Sequence, residues 1–243
     1  MLINEIKSYI VSHKKTCNLF NTEFNKRVLI SYTIMPFLSK KIYHSNAQES
    51  RVIASIFNEL EFNVDIIHYT NKSKIDYDKY DVIFGFGVPF ECSFFTEKEK
   101  DIKRIHYSTG AHVCYQNYAE IKRIEEVNKK CNSNISPKRL VSWSWSMSIG
   151  LSDALIVIGN EWTKSTYSKY TTKPIYTINA TALITKINKI NLRETEKTKR
   201  SFLWFGSGGL VHKGLDLCLE YFSIKPELNL HICGPMEDDF NKV

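Results

Sequence analysis

The amino-acid sequence predicts an α/β protein built on a doubly wound parallel sheet, followed by the start of a second unit of the same kind. Short apolar, β-branched segments alternate with amphipathic segments over residues 28–180, which is the pattern of a parallel sheet with right-handed crossover helices. Residues 185–200 are charged and lack apolar periodicity, and a single strand–helix–strand pattern follows them. These three observations divide the chain into two α/β units joined by a linker.

The composition is that of a folded protein. Of the 243 residues, 43% are hydrophobic and 24% are charged, which excludes disorder over the whole chain. The net charge is +7, but the basic residues are scattered and no long basic run interleaves with aromatic residues, so we expect no nucleic-acid partner. No apolar run approaches the roughly 20 residues that span a bilayer, and the first residues lack the apolar segment of an export signal. We therefore expect a cytoplasmic protein whose six cysteines are reduced and mostly buried.

Six strands and four helices are predicted before the linker. The strands are residues 28–34, 64–69, 81–86, 104–108, 154–158 and 174–178, and the helices are residues 45–60, 115–130, 143–149 and 161–170. At the first helix, Asn46 and Glu49 have the spacing of a helix-start box. The long second helix is expected to place these apolar residues near one side: Tyr118, Ile121, Ile124 and Val127.

After the linker, the pattern predicts one strand–helix–strand unit. A strand at residues 201–205 precedes a glycine-rich loop, an amphipathic helix follows near Leu215, and an alternating strand closes the unit at residues 228–233. Two strands and one helix leave a sheet face uncovered, so we expect only the opening of a second domain. The predicted bounds are 1–26 for an N-terminal arm or helix, 27–183 for the first domain, 184–200 for the linker and 201–243 for the incomplete second domain.

The glycine-rich loop carries the clearest chemical signature in the sequence. Lys213 follows it closely, and its own residues are Gly206, Ser207, Gly208 and Gly209. Glycines let backbone N–H groups approach an anion, a helix N-terminus favours negative charge, and the lysine adds a full positive charge, so the group suits a diphosphate. A dinucleotide fingerprint is disfavoured because Val211 stands where its last glycine should be. A nucleotide-binding P-loop is disfavoured because Lys213 precedes Gly214 instead of following a glycine.

Residues 201–235 resemble the first strand–helix–strand of the donor-binding domain in two-domain GT-B glycosyltransferases of the group 1, family 4-like set. The resemblance rests on Lys213 and Gly214, on the helix after them, and on the strand end at residues 232–235, which reads ICGP. Residues 28–180 resemble the acceptor-side domain of that family more loosely, through residues 107–112 and 157–161. The implied fold is a Rossmann-like first domain followed by a second Rossmann-like domain that is truncated early, an incomplete GT-B fold.

The resemblance implies the transfer of a sugar from a nucleoside-diphosphate sugar to a hydroxyl group of a glycan or lipid-linked acceptor, in surface polysaccharide synthesis. The implied reaction retains the anomeric configuration and uses no metal and no cofactor beyond the donor. The residues implied to bind the donor diphosphate are Gly206, Ser207, Gly208, Gly209 and Lys213. Many relatives carry an arginine where this chain has Ser207 or Gly208, so its duty is weakened or passes to another group. A basic first domain could also contact the inner face of a membrane peripherally.

Four residues are candidates on the acceptor side. His112 follows the fourth predicted strand, and the resemblance implies that it is a catalytic residue that positions the acceptor hydroxyl or accepts its proton. Asn117, Glu120 and Arg123 lie on the next helix and could bind acceptor hydroxyls or a phosphate, although an ordinary polar helix surface explains them equally well. His106 lies within the strand and is expected to be packed.

Two other functions stay open. The paired glutamates and the base pocket of the family lie downstream of the glycine loop, beyond the last residue of this sequence. A non-catalytic remnant or subunit that keeps only the acceptor-side domain is therefore the alternative, and a second polypeptide would supply its donor site. A sugar-nucleotide epimerase on the same fold is a third possibility, and it would need acid–base groups in the downstream half.

Overall fold

The computed structural model describes residues 13–38, 44–96, 101–182, 196–235 and 237. Its contacts divide the chain into two compact units. The first unit holds the chain up to His112 and residues 145–185, and the second unit holds residues 113–144 and 186–243. Residues 113–144, which lie inside the predicted first domain, group with the second unit in this division.

The first unit is built on a seven-stranded sheet. Its strands are β1 (Lys15–Thr16), β2 (Lys26–Tyr32), β3 (Phe62–His68), β4 (Val82–Gly85), β5 (Lys103–Ser108), β6 (Ala154–Ile158) and β7 (Ile175–Ile178). Their order across the sheet is β1-β3-β2-β4-β5-β6-β7. All neighbouring pairs are parallel except β1 with β3, which are antiparallel. The predicted α/β class with a mostly parallel sheet is therefore confirmed, and it is compatible with a Rossmann-like fold.

Helices connect the strands in both units. They are α1 (Met35–Leu38), α2 (Ser45–Glu59), α3 (Val88–Cys92), α4 (Val113–Cys131), α5 (Ser146–Leu151), α6 (Glu161–Tyr167), α7 (Glu196–Lys199) and α8 (Leu215–Ser223), with 3₁₀ turns at Tyr77–Lys79 and Ser93–Phe95. The side chain of His44 caps α2 by accepting the N–H of Asn46, so the predicted start box of Asn46 and Glu49 is wrong. No helix in the described part of the chain is long and apolar enough to cross a membrane.

The sheet of the first unit is apolar on both faces. Val28 and Ile30 of β2 pack into one buried cluster, and Leu29 between them packs into a second one. Successive residues of a strand point to opposite faces, so this split shows that both faces are covered. That arrangement explains why β4 (VIFG) and β6 (ALIVI) are continuous apolar runs without polar alternation.

The second unit contains the predicted strand–helix–strand. The strands β8 (Ser201–Phe205) and β9 (Asn229–Cys233) pair in parallel, with Ser201 opposite Asn229 and Phe205 opposite Cys233. Trp204, Leu210 and Leu215 form the buried cluster between the sheet and α8. On the alternate positions of β8, Leu203 and Phe205 are 66% and 78% exposed. One face of this small sheet is therefore open.

Only two of the four apolar residues that were predicted to share one side of α4 are buried. Tyr118 and Ile121 are 62% and 41% exposed, whereas Glu120, Ile124 and Val127 are buried. The buried glutamate is accommodated because its carboxylate has hydrogen-bond partners inside the protein. Burial of a charged group is tolerated only with such partners.

Two expectations about the rest of the chain also change. The cysteines are not mostly buried: all are free thiols, Cys218 is partly exposed, and the other five are exposed. The predicted N-terminal arm or helix falls partly outside the described residues, and Lys15–Thr16 forms a short strand instead of a helix. Residues 184–195 of the predicted linker also lie outside the described residues, and α7 occupies its end.

Candidate functional site

The glycine loop of the second unit turns the chain sharply between β8 and α8. Gly209 and Gly214 have φ angles of +87° and +72°. Residues other than glycine adopt such backbone angles only with strain. The N–H of Gly206 donates to the carbonyl oxygen of Cys233 at 3.0 Å, which extends the β8–β9 ladder by one bond. The loop therefore starts from a fixed strand end, and two of its turns depend on glycine.

Lys213 is held through its backbone. Its N–H donates to the carbonyl oxygens of Gly209 and Leu210 at 3.0 and 3.2 Å, and its own carbonyl oxygen accepts the indole N–H of Trp204 at 3.1 Å. The residue is exposed. In the described part of the chain its ammonium group forms no salt bridge.

The amide of Gly209 already binds an anionic oxygen. Its N–H donates to Oε1 of Glu237 at 2.7 Å, and a Cβ at Gly208 would lie 3.0 Å from the same oxygen. A carboxylate oxygen here stands in for any anionic oxygen that the loop could accept. The predicted donor-binding loop thus has at least one amide in the geometry of an anion site.

Glu120 was predicted on the acceptor side, and its carboxylate is occupied within the second unit. The residue is 1% exposed. Its Oε1 accepts the backbone N–H groups of Lys138 and Arg139 at 3.0 and 3.1 Å, and its Oε2 lies 2.6 Å from Nδ1 of His212. These contacts compensate the buried charge. The acceptor role of Glu120 stays a prediction, and the observed role is to join α4 to the glycine loop.

Asn117 and Arg123 on the same helix also have partners inside the second unit. The Asn117 side chain accepts the N–H of Val141 at 2.9 Å and donates to its carbonyl oxygen at 2.8 Å. Arg123 forms a salt bridge with Asp216 of α8. The two residues hold a loop and a helix in place, and their predicted contact with an acceptor is untested.

His112 belongs to the first unit and lies on the segment that follows β5. It is only 4% exposed. Its ring stacks on that of Tyr170, with centroids 3.7 Å apart and planes 5° apart, and meets the ring of Tyr167 edge-on at 5.3 Å. Its backbone N–H donates to Oγ1 of Thr166 at 3.0 Å. Burial lowers the pKa of His112 below its ordinary value. At neutral pH the imidazole is therefore uncharged, which is the form that can accept a proton.

Glu49 is a buried residue of the first unit that the sequence did not single out as functional. It is 8% exposed, and its Oε2 accepts the hydroxyl groups of Tyr32 and Tyr107 at 3.0 and 3.3 Å. Its Oε1 accepts the hydroxyl of Thr181. Tyr32 and Tyr107 lie near the carboxyl ends of parallel strands, where ligands of such sheets bind. No sequence signal separates Glu49 from the other polar residues of its helix.

His106 is buried in β5, as predicted, with 3% of its surface exposed. Its ring meets that of Phe90 edge-on at 5.9 Å. Burial, with a smaller contribution from His112, lowers the pKa of His106 to about 3. Its Nδ1 has no hydrogen-bond partner within the described residues. The residue is therefore neutral in the folded protein, and its position indicates packing.

Comparison of the chain with protein-family models, curated proteins and solved structures finds no match. Among the described residues, no three histidine, cysteine, aspartate or glutamate side chains are grouped so as to hold a metal ion.

Proposed function

We propose that this chain is a glycosyltransferase of the two-domain GT-B type, which uses a nucleoside-diphosphate sugar as its donor. The observation that carries the proposal is the parallel β8–loop–α8–β9 unit, with Lys213 set between the left-handed turns at Gly209 and Gly214. Backbone amides and a lysine at one turn offset the negative charge that grows on a departing diphosphate. The bond between the sugar and the diphosphate breaks, and the acceptor oxygen forms the new bond to the sugar.

His112 is the proposed catalytic residue on the acceptor side. It follows β5 at the carboxyl edge of the parallel sheet, where ligands of such sheets bind. Because burial lowers its pKa, its neutral imidazole can orient the acceptor hydroxyl or accept the proton that this hydroxyl loses. The proposed acceptor is a glycan or a lipid-linked saccharide. Retention of the anomeric configuration and independence of metal are parts of the same proposal.

A panel of nucleoside-diphosphate sugars tests the proposal directly. The purified chain is heated with each compound in turn, and a ligand that binds the folded state raises the melting temperature in a concentration-dependent way. We expect nucleoside diphosphates and their sugars to raise it, and the matching nucleosides without phosphate to have no effect. If no compound with a diphosphate raises the melting temperature, the proposal is wrong. Binding of a donor without any sugar transfer would favour the non-catalytic alternative.

A further inference from the structure

A small cleft lies beside the glycine loop within the second unit. Its wall includes Gly209, His212, Glu237 and Lys138 together with the buried carboxylate of Glu120. The rest of the wall is apolar and comes from α4, the segment after it, and the loop: Ile124, Ile135, Leu210 and Val211. The cleft thus combines the backbone amide of Gly209 with the basic side chains of His212 and Lys138. Its two acidic residues, Glu120 and Glu237, already accept hydrogen bonds.

Glu120 fixes the orientation of His212. Two backbone N–H groups occupy one of its carboxylate oxygens, and the other oxygen lies 2.6 Å from Nδ1 of the imidazole. A carboxylate only accepts hydrogen bonds, so Nδ1 carries a proton in this contact. In the doubly protonated imidazole Nε2 also donates, and an anionic oxygen can accept that hydrogen bond. The His212 side chain is 33% exposed, whereas that of Glu120 is 1% exposed. A buried carboxylate that orients a partly exposed imidazole is an arrangement suited to binding.

Glu237 occupies the loop amide that an anionic ligand would use. The N–H of Gly209 donates to Oε1 of Glu237 at 2.7 Å. A single N–H group forms one strong hydrogen bond at a time, so a ligand oxygen at this amide must displace the carboxylate. Gly208 and Ser207 bring no charge to the loop, and His212 is the residue next to Lys213 that can add one.

We infer that the amide of Gly209 and the imidazole of His212, oriented by Glu120, form one phosphate-binding position of the glycine loop, and that Glu237 competes for it. The inference rests on the proposed function, because it assigns the residues that receive a phosphate group of the donor. Glu237 holds the position until a phosphate oxygen replaces its carboxylate.

Inorganic pyrophosphate is the probe that tests this inference, with its affinity for the full chain measured by calorimetry at fixed ionic strength. Glu237→Gln removes the competing charge and keeps the size of the side chain, so we expect affinity to rise about threefold or more. Glu227→Gln changes an exposed glutamate of the same unit and should leave the affinity unchanged. Equal affinities for these two variants would overturn the competition by Glu237.

His212→Ala should lower the affinity for pyrophosphate roughly tenfold, because a charge-assisted hydrogen bond is lost. In the wild-type chain, the NMR signal of Nε2 of His212 should shift as pyrophosphate is added. This measurement tests the role of His212 even if the alanine variant folds poorly. An unmoved signal together with an unchanged affinity would overturn the role of His212. If Lys213→Ala still weakens binding in that case, the proposed function survives; if pyrophosphate binds no form of the chain, the proposed function fails as well.

Discussion

The hydroxyl group of Tyr32 donates a hydrogen bond to Oε2 of Glu49 at 3.0 Å, and both residues are buried in the first unit. Tyr107 and Thr181 donate to the same carboxylate. Burial and the nearby carboxylate raise the pKa of both tyrosines, so their hydroxyls keep their protons. One glutamate of α2 thereby connects β2, β5 and the chain after β7.

Replacement of Glu49 by alanine should destabilise the first unit. The change leaves two buried tyrosine hydroxyls without their acceptor, and each such loss costs about 1–3 kcal/mol. We expect a decrease of about 2–4 kcal/mol in the free energy of unfolding, measured by urea denaturation. Glu49→Gln keeps an acceptor oxygen and should lose less. Glu59→Ala, at an exposed position of the same helix, is the control, and an equal loss in both alanine variants would contradict the assigned network.

The stability of the first unit should fall as the solution is acidified. The pKa of His106 is about 3 in the folded state, below its ordinary value of about 6.5. Below pH 6.5 the unfolded chain therefore binds a proton that the folded chain does not, and stability is lost from about pH 6.5 down to about pH 3. The slope from this residue is at most about 1.4 kcal/mol per pH unit.

His106→Leu removes that titration and should flatten the dependence of the unfolding free energy on pH between pH 6 and 4. The lowered pKa of His112 adds to the slope with the same sign, and this part should persist in the variant. His231→Leu changes an exposed histidine and should keep the full slope. A His106 variant with the wild-type slope would show that the buried imidazole is not the titrating group.

The secondary structure of the chain was predictable because it is recorded in local patterns. The strand Ala154–Ile158 was predicted with its observed ends, since a short β-branched run between a polar residue and a glycine has few other interpretations. The strand Lys15–Thr16 could not be predicted in the same way. Two polar residues have no periodicity, and they are a strand only because β3 offers its edge.

The contacts of the candidate site were much less predictable. Lys213 was singled out as a candidate because glycines and a helix start surround it in the sequence. His212 was missed because its partner Glu120 lies 92 positions away, and no local pattern records that approach. On α4, the residues predicted to share one side include the buried Ile124 and Val127 but also the exposed Tyr118 and Ile121. Apolar periodicity cannot anticipate that backbone amides will compensate a buried glutamate at position 120.

Lys213→Ala should weaken the binding of a nucleoside-diphosphate sugar several-fold. The lysine is the full charge beside the loop amides, and the loss of a charged hydrogen bond at an exposed position costs roughly 1 kcal/mol or more. Calorimetric titration of the variant checks this. Lys225→Ala, beyond the opposite end of α8, removes the same charge from the same unit and should leave the affinity unchanged. Equal affinities in the two variants would count against a diphosphate at the loop.

His112→Ala should lower turnover much more than donor affinity. General acid–base groups contribute about 10²–10⁴-fold to rate, so we expect a decrease in kcat of that order with a donor Kd within about twofold of the wild type. Steady-state transfer assays and calorimetry measure the two quantities separately. Tyr170→Leu is the matched control: it removes the ring that stacks on His112 and keeps the imidazole, so it should reduce stability more than turnover. A His112 variant that loses donor affinity while its kcat is unchanged would place this residue in the donor site and contradict its assignment to the acceptor side.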